Sequence, residues 1–96
     1  MASNESVAPD IQALIGQQVV VDTKGPYLYI GVLQKVTANA LLLGDVDVHN
    51  TGDSSTSNDL YLIEALKYGV RANRKAAYVL TKEIVSVSPL SAIVPY

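Results

Sequence analysis

Residues 27–48, "YLYIGVLQKVTANALLLGDVDV", decide the fold. They hold two β-rich runs, 27–36 and 40–48, joined by the turn "TAN" at 37–39. Asparagine tolerates left-handed backbone and caps locally, so the turn is a tight one. Gly31 stands in the middle of the first run, where a glycine marks a bulge or a bend at which a sheet curls toward a barrel. The second run is apolar at first and then alternates Asp45, Val46, Asp47 and Val48, as a strand does when it leaves the core with one wet face.

Upstream, "QQVVVDT" (17–23) reads as a strand and "KGP" (24–26) as the turn that follows it. "PDIQALIG" (9–16) reads as a short helix, with Pro9 in the first turn, Asp10 on the N-terminal dipole and Gly16 at its end. Ile11, Leu14 and Ile15 are expected to face inward, and residues 1–8 to form a loose tail. Downstream, "HNTGDSSTS" (49–57) is a polar loop. "NDLYLIEALKYG" (58–69) has the marks of a helix: Ser57 or Asn58 as cap, Asp59 in the first turn, Lys67 in the last and Gly69 just past the end. Its apolar arc is wider than one small barrel needs, so part of it is expected to touch a neighbouring subunit. "AAYVLTK" (76–82) and "IVSVSPL" (84–90) are two more strands, joined at Lys82–Glu83.

The 96 residues suit one domain, taken as 9–96 with the loop and helix at about 49–69 as an insertion. An apolar content of 49% is hard to hide in so small a body, so self-association is expected. Every aromatic residue is a tyrosine, a side chain suited to half-buried and interface positions. The chain has no cysteine, which excludes disulfides and thiolate chemistry. The polar start "MASNESVAPD" has no apolar core of a secretory signal, and no apolar run reaches the length of a membrane span, so a soluble cytoplasmic protein is expected.

The order helix, three strands, loop and helix, two strands resembles the Sm-like (LSm) family of small barrels, in a divergent, bacterial-type form with an inserted helix. The resemblance rests on Leu14, Ile15 and Gly16, on the alternating Val19 and Val21, on Gly31 and Leu33, and on Asn39, Leu41, Leu43 and Asp45. "YVLTKEIVSVSPL" has the shape of the family's second motif. The resemblance implies a mainly β fold, a strongly bent five-stranded barrel with a short N-terminal helix, that assembles as a homo-oligomer or ring. In that family an Asn in the turn before the third strand and an Arg-Gly in the last turn hold a uridine. Asn39 matches the first. Where Arg-Gly would stand, this chain has Leu80 and Thr81 followed by Lys82, and Ala38 and Ala40 supply no stacking ring.

Formal charge is −2, unevenly spread. Lys67, Arg71, Arg74 and Lys75 fall within nine positions, in "KYGVRANRK", beside Tyr68 and Tyr78. Cations that converge on one surface bind phosphates, and tyrosines stack on bases. The same charges also suit a solvated connector after a helix end, or pairing with the acidic half of a neighbouring subunit. The RNA-binding candidates are therefore Asn39, Arg71, Arg74, Lys75 and Lys82. Asp45, Asp47 and His49 at i, i+2 and i+4 form a weaker metal candidate, with Asp53 from the loop as a fourth ligand, against the plainer reading of a strand running into solvent. One histidine, no G-x-S-x-G elbow and no glycine-rich phosphate loop argue against an enzyme, and no cofactor is expected. Two functions stay open: an oligomer that binds single-stranded RNA through a repeated basic surface, and a scaffolding homo-oligomer without a nucleic-acid ligand.

Overall fold

Val19, Val20 and Val21 are consecutive and all buried, which an extended strand permits only if both of its faces are covered. The computed structural model, which describes residues 10–52 and 57–95, shows what covers them. Strand β1 (Gln18–Thr23) lies in one antiparallel sheet with β2 (Tyr27–Val36), β3 (Ala40–Asn50), β4 (Arg74–Leu80) and β5 (Ile84–Pro89), in the order β4-β3-β2-β1-β5. Val19 and Val21 join Leu33, Leu41, Leu43, Val46 and Val79 in one core cluster. Val20 joins Leu28, Ile30, Ala65 and Leu90 in a second. The expected tail at 1–8 and Asp53 lie outside the described residues.

Helix α1, described over 10–12, brings Ile11 and Leu14 onto the first cluster. It ends at 12, before the expected 16. Its chain passes at once into tight turns, with Leu14 N donating to Ile11 O at 2.9 Å and Ile15 N to Gln12 O at 3.1 Å, and Gly16 N then bonds Leu33 O at 2.8 Å. Ile15 is left half-exposed instead of facing inward. Helix α2 (Asn58–Tyr68) runs between β3 and β4 as expected, capped by the Ser57 side chain, which accepts from Leu60 N at 3.2 Å. It covers the second cluster with Ala65, Tyr61, Leu62 and Leu66, so most of its apolar arc is spent within the chain.

Two bulges explain how a simple alternation keeps both clusters filled. Ile30 pairs with Asp47 but Val32 with Gly44, so Asp45 and Val46 oppose Gly31 alone, and Asp45 takes φ 48°. Leu41 and Leu43 face the first cluster before this bulge, Val46 and Val48 after it: the inward positions change parity. In β2, Gln34 is the extra residue between the pairs Leu33–Leu43 and Lys35–Leu42. Gly31 lies against Gly44 here. A Cβ on Gly31 would come within 3.0 Å of Gly44 O and 3.2 Å of Val46 Cγ2, and one on Gly44 would run into the Gln34 amide. The bend therefore depends on Gly31, whose added Cβ would meet backbone and core atoms, while the exposed Gln34 side chain over Gly44 is free to move aside.

Strand β4 begins at Arg74, two residues before the expected 76, so Arg74 and Lys75 belong to the strand and not to a connector. It ends at Leu80, and 81–83 form a single 3-10 turn, Thr81–Glu83, before β5. Strand β3 runs on to Asn50, which places His49 in the sheet rather than in the loop.

Candidate nucleic-acid interface

The turn at 37–39 is built by Thr37, whose hydroxyl accepts from Ala40 N at 3.0 Å and Asn39 N at 3.3 Å while Thr37 N donates to Ala40 O at 2.9 Å. This hairpin end is held to the end of β4. Thr81 N donates to Asn39 O at 2.9 Å, and the Thr81 hydroxyl reaches Ala38 O at 3.4 Å. Two segments 43 residues apart at Ala38 and Thr81 are thereby fixed side by side, with exposed Asn39 and exposed Lys82 at one end of the sheet.

Arg71, Arg74 and Lys75 lie at the other end. Arg74 pairs with Val46 and Leu80 with Ala40, so the six steps of β4 put roughly 20 Å between the two groups. The five candidates thus form two sites, not one. All three of these bases are exposed, and Arg74 Nη1 donates to Asn73 O at 3.0 Å.

Asn73 was not foreseen, and it sets this second group in place. Its backbone N–H donates to Val46 O at 2.8 Å. Its side chain accepts from Val48 N at 3.0 Å and donates to Val48 O at 3.1 Å and Asp47 Oδ1 at 3.3 Å. An amide side chain is taking the place of a backbone partner along β3, just before β4 starts. The signal in the sequence was an uncharged amide amid bases, "RANRK", though its partner strand lay 25 residues away.

Asp47 also accepts from the Tyr61 hydroxyl, and the Tyr61 ring stacks on His49 with centroids 3.9 Å apart and planes 12° from parallel. Burial, then the hydrogen bond to Asp47 and its charge, push the Tyr61 phenol well above its ordinary range. Asp47 and His49 are therefore engaged in docking α2 onto β3. The structure corrects the expectation that Asp45 lines one strand face with them, because the left-handed bulge at Asp45 interrupts the alternation on which that spacing depended. Among the described residues no group of three His, Cys, Asp or Glu converges as metal ligands would.

Replacing Tyr61 by phenylalanine should cost about 1.5–2 kcal/mol, the lower part of the range for hydrogen bonds to a charged group because the pair is only part-buried. The sign of the pH dependence follows from the raised folded value. The contribution is complete below about pH 10, where the unfolded phenol is still protonated, and is lost as pH rises through the folded pKa. Urea titrations across alkaline pH should show a fall in the parent protein that Tyr61→Phe lacks.

The arrangement of strands and turns is shared with proteins of known structure. One is the Sm protein of Pyrococcus abyssii in complex with a uridine heptamer, with a TM-score of 0.58 over 85% of this chain and 94% of that one, at 14% identity. The chain has the Sm fold. A heptameric archaeal Sm protein matches the Sm fold of this chain with a TM-score of 0.53 at 20% identity, covering 84% of this chain and 96% of the other. The heptamer of the P. aerophilum protein SmAP1 gives 0.55 at 20% identity over 95% and 96%. No protein-family model and no curated protein sequence matches. At such identities the likeness establishes the Sm fold; the site residues must be argued from this chain. No helix among the described residues is long and apolar enough to cross a membrane.

Proposed function

We propose that this chain assembles through its open sheet edges into a homo-oligomeric ring and binds single-stranded RNA on it without catalysing a reaction, as a cytoplasmic protein. The observation that carries the RNA reading is the junction of Asn39 with the Thr81–Lys82 turn. It pairs an amide able to donate and accept with a cation one residue from the Thr81 bond, at the end of an Sm fold, and a similar protein of that fold holds a uridine heptamer. Strands β4 and β5 are the two edges, and both expose apolar side chains: Tyr78 and Leu80 on one, Val85 on the other. Uncovered edges of this kind invite pairing with another chain, and two of the similar structures are heptamers. In a ring, Asn39, Lys82 and the second group Arg71, Arg74 and Lys75 recur with every subunit, so weak contacts add by avidity.

Fluorescence anisotropy with labelled oligouridylate at low and physiological salt tests this. Saturable binding should weaken at least about tenfold in Asn39→Ala/Lys82→Ala, the loss of roughly one good polar contact per subunit. Neutralising Arg71, Arg74 and Lys75 should flatten the log–log salt dependence by about 2, at ~0.7 per phosphate contact in single strands. The second reading is a scaffold in which these bases pair with acidic surface of the next subunit, favoured by the net charge of −2 and by Leu80 and Thr81 standing where an Arg-Gly is expected. No binding at low salt, with an assembly that loosens as salt rises, would establish the scaffold instead.

A further inference from the structure

We infer that the cleft between the C-terminal half of α2 and strand β3 binds a guanidinium group carried on an alkyl chain, as in an arginine side chain. Such a site needs neither the ring nor RNA.

Helix periodicity sets its walls. Tyr61, Glu64, Ala65 and Tyr68 fall at i, i+3, i+4 and i+7 of α2 and so share one face. That face, with Asp47 of β3 and with Arg71, lines a cleft of about 410 Å³. Ala65 is buried, so two tyrosine rings and two carboxylates make most of the surface a ligand would meet. The Tyr61 ring is fixed by its stack on His49 and its bond to Asp47. Tyr68 is 82% exposed, and its ring is offered to solvent.

Charge selects the sign of the ligand. Asp47 accepts from the Tyr61 hydroxyl and from the Asn73 amide, both neutral, so these bonds orient the carboxylate without cancelling its charge. Glu64 is exposed and adds a second negative charge. Arg71 is the one cation among the residues that line the cleft. The last carbonyls of α2 lie at the same end of the helix and carry the negative pole of its dipole. The cleft therefore attracts cations and repels phosphate.

Shape selects a planar cation. Glu64 and Tyr68 stand one helical turn apart, which sets a carboxylate beside an exposed ring. A guanidinium can lie flat on that ring and, in its own plane, donate two parallel N–H bonds to the carboxylate. An ammonium is compact, holds its water more tightly and cannot make the paired contact. The volume admits the alkyl stem as well as the head.

Nuclear magnetic resonance titrations of the isotope-labelled full chain test this, with butylguanidinium against butylammonium as probes. Saturable amide shifts should appear around residues 61–71, and the guanidinium should bind at least about threefold more tightly. Glu64→Gln should weaken it about three- to tenfold, part of the span for a bond to a charged group. Tyr68→Ala should weaken it about two- to fivefold, the span for an exposed cation on a ring, and Tyr68→Phe should stay within about twofold. Arg71→Ala should tighten it, the opposite of what a phosphate ligand would show. Each variant is checked for unchanged circular dichroism. Asn39→Ala/Lys82→Ala should leave the guanidinium untouched, so this site and the RNA reading stand or fall separately. An end-blocked Gly-Arg-Gly peptide that binds as tightly as butylguanidinium makes the source an arginine of a protein partner. Binding of butylguanidinium alone makes it a free small molecule. Equal affinity for the two cations, shifts that spread over the acidic surface without saturating, or an affinity that Glu64→Gln and Tyr68→Ala leave unchanged would overturn the site.

Discussion

Truncating Leu43 to alanine should cost about 3–5 kcal/mol, the upper part of the range for buried leucines and a large share of the roughly 5–15 kcal/mol that holds a domain together. Leu43 has no exposed surface and sits among Val19, Val21, Leu33, Leu41, Val46 and Val79. Four of those six neighbours are β-branched, with one preferred rotamer each, and all are mounted on hydrogen-bonded strands. Such walls cannot collapse far into the space left behind, and the residual cavity adds its own penalty to the lost burial. Position 43 also lies between β2 and β4, opposite Leu33 and Ala77, so the void opens inside the sheet rather than at its rim. Urea unfolding followed by circular dichroism should show a lower midpoint with an unchanged slope. Leu42→Ala is the control. Its side chain is half-buried on the opposite face, and the loss there should be less than half as large. Equal losses would mean that the two faces of β3 have been assigned the wrong way round.

That control bears on how much of the structure could be read in the sequence. The limits of β2 and α2, and the glycine bend at position 31, follow from local chemistry: turn residues, a serine cap, and apolar periodicity. What escaped was whatever depended on a partner distant in the chain. Asp45, Asp47 and His49 look alike in "DVDVH", yet a bulge created by the pairing of β3 with β2 takes Asp45 out of line and leaves the other two to Tyr61. Arg74 and Lys75 look like connector residues until Asn73 fastens itself to β3 and starts the strand early. The candidate RNA residues were all visible as polar side chains in turns or basic runs. Their division into two sites was not, because the length of β4 and its register against β3 decide it. Charge and turn preference are local properties, whereas convergence belongs to the sheet.

The proposed ring should come apart through a single charge on one edge. Val85 lies on β5, is 66% exposed and makes no part of either core cluster, so Val85→Asp should change the stability of the isolated fold by no more than about 0.5 kcal/mol. Placed against the apolar edge of a neighbouring β4, the same carboxylate would be desolvated without a partner, a cost of several kcal/mol at every interface. Sedimentation should then show a species near 10.2 kDa where the parent protein sediments as a multiple of it, with unchanged circular dichroism. RNA affinity should fall by about a hundredfold or more as avidity is lost. Tyr78→Asp, on the β4 edge, should act in the same way. Mixing the two variants separates this head-to-tail arrangement from any two-fold one. A Val85→Asp chain keeps a sound β4 and a Tyr78→Asp chain a sound β5, so one interface can form between them and no more. The mixture should stop at dimers of one copy of each, because a heterologous contact needs both edges on every subunit to close a ring. Full-size assemblies in the mixture, or in either variant alone, would show that the copies meet somewhere other than these two strands.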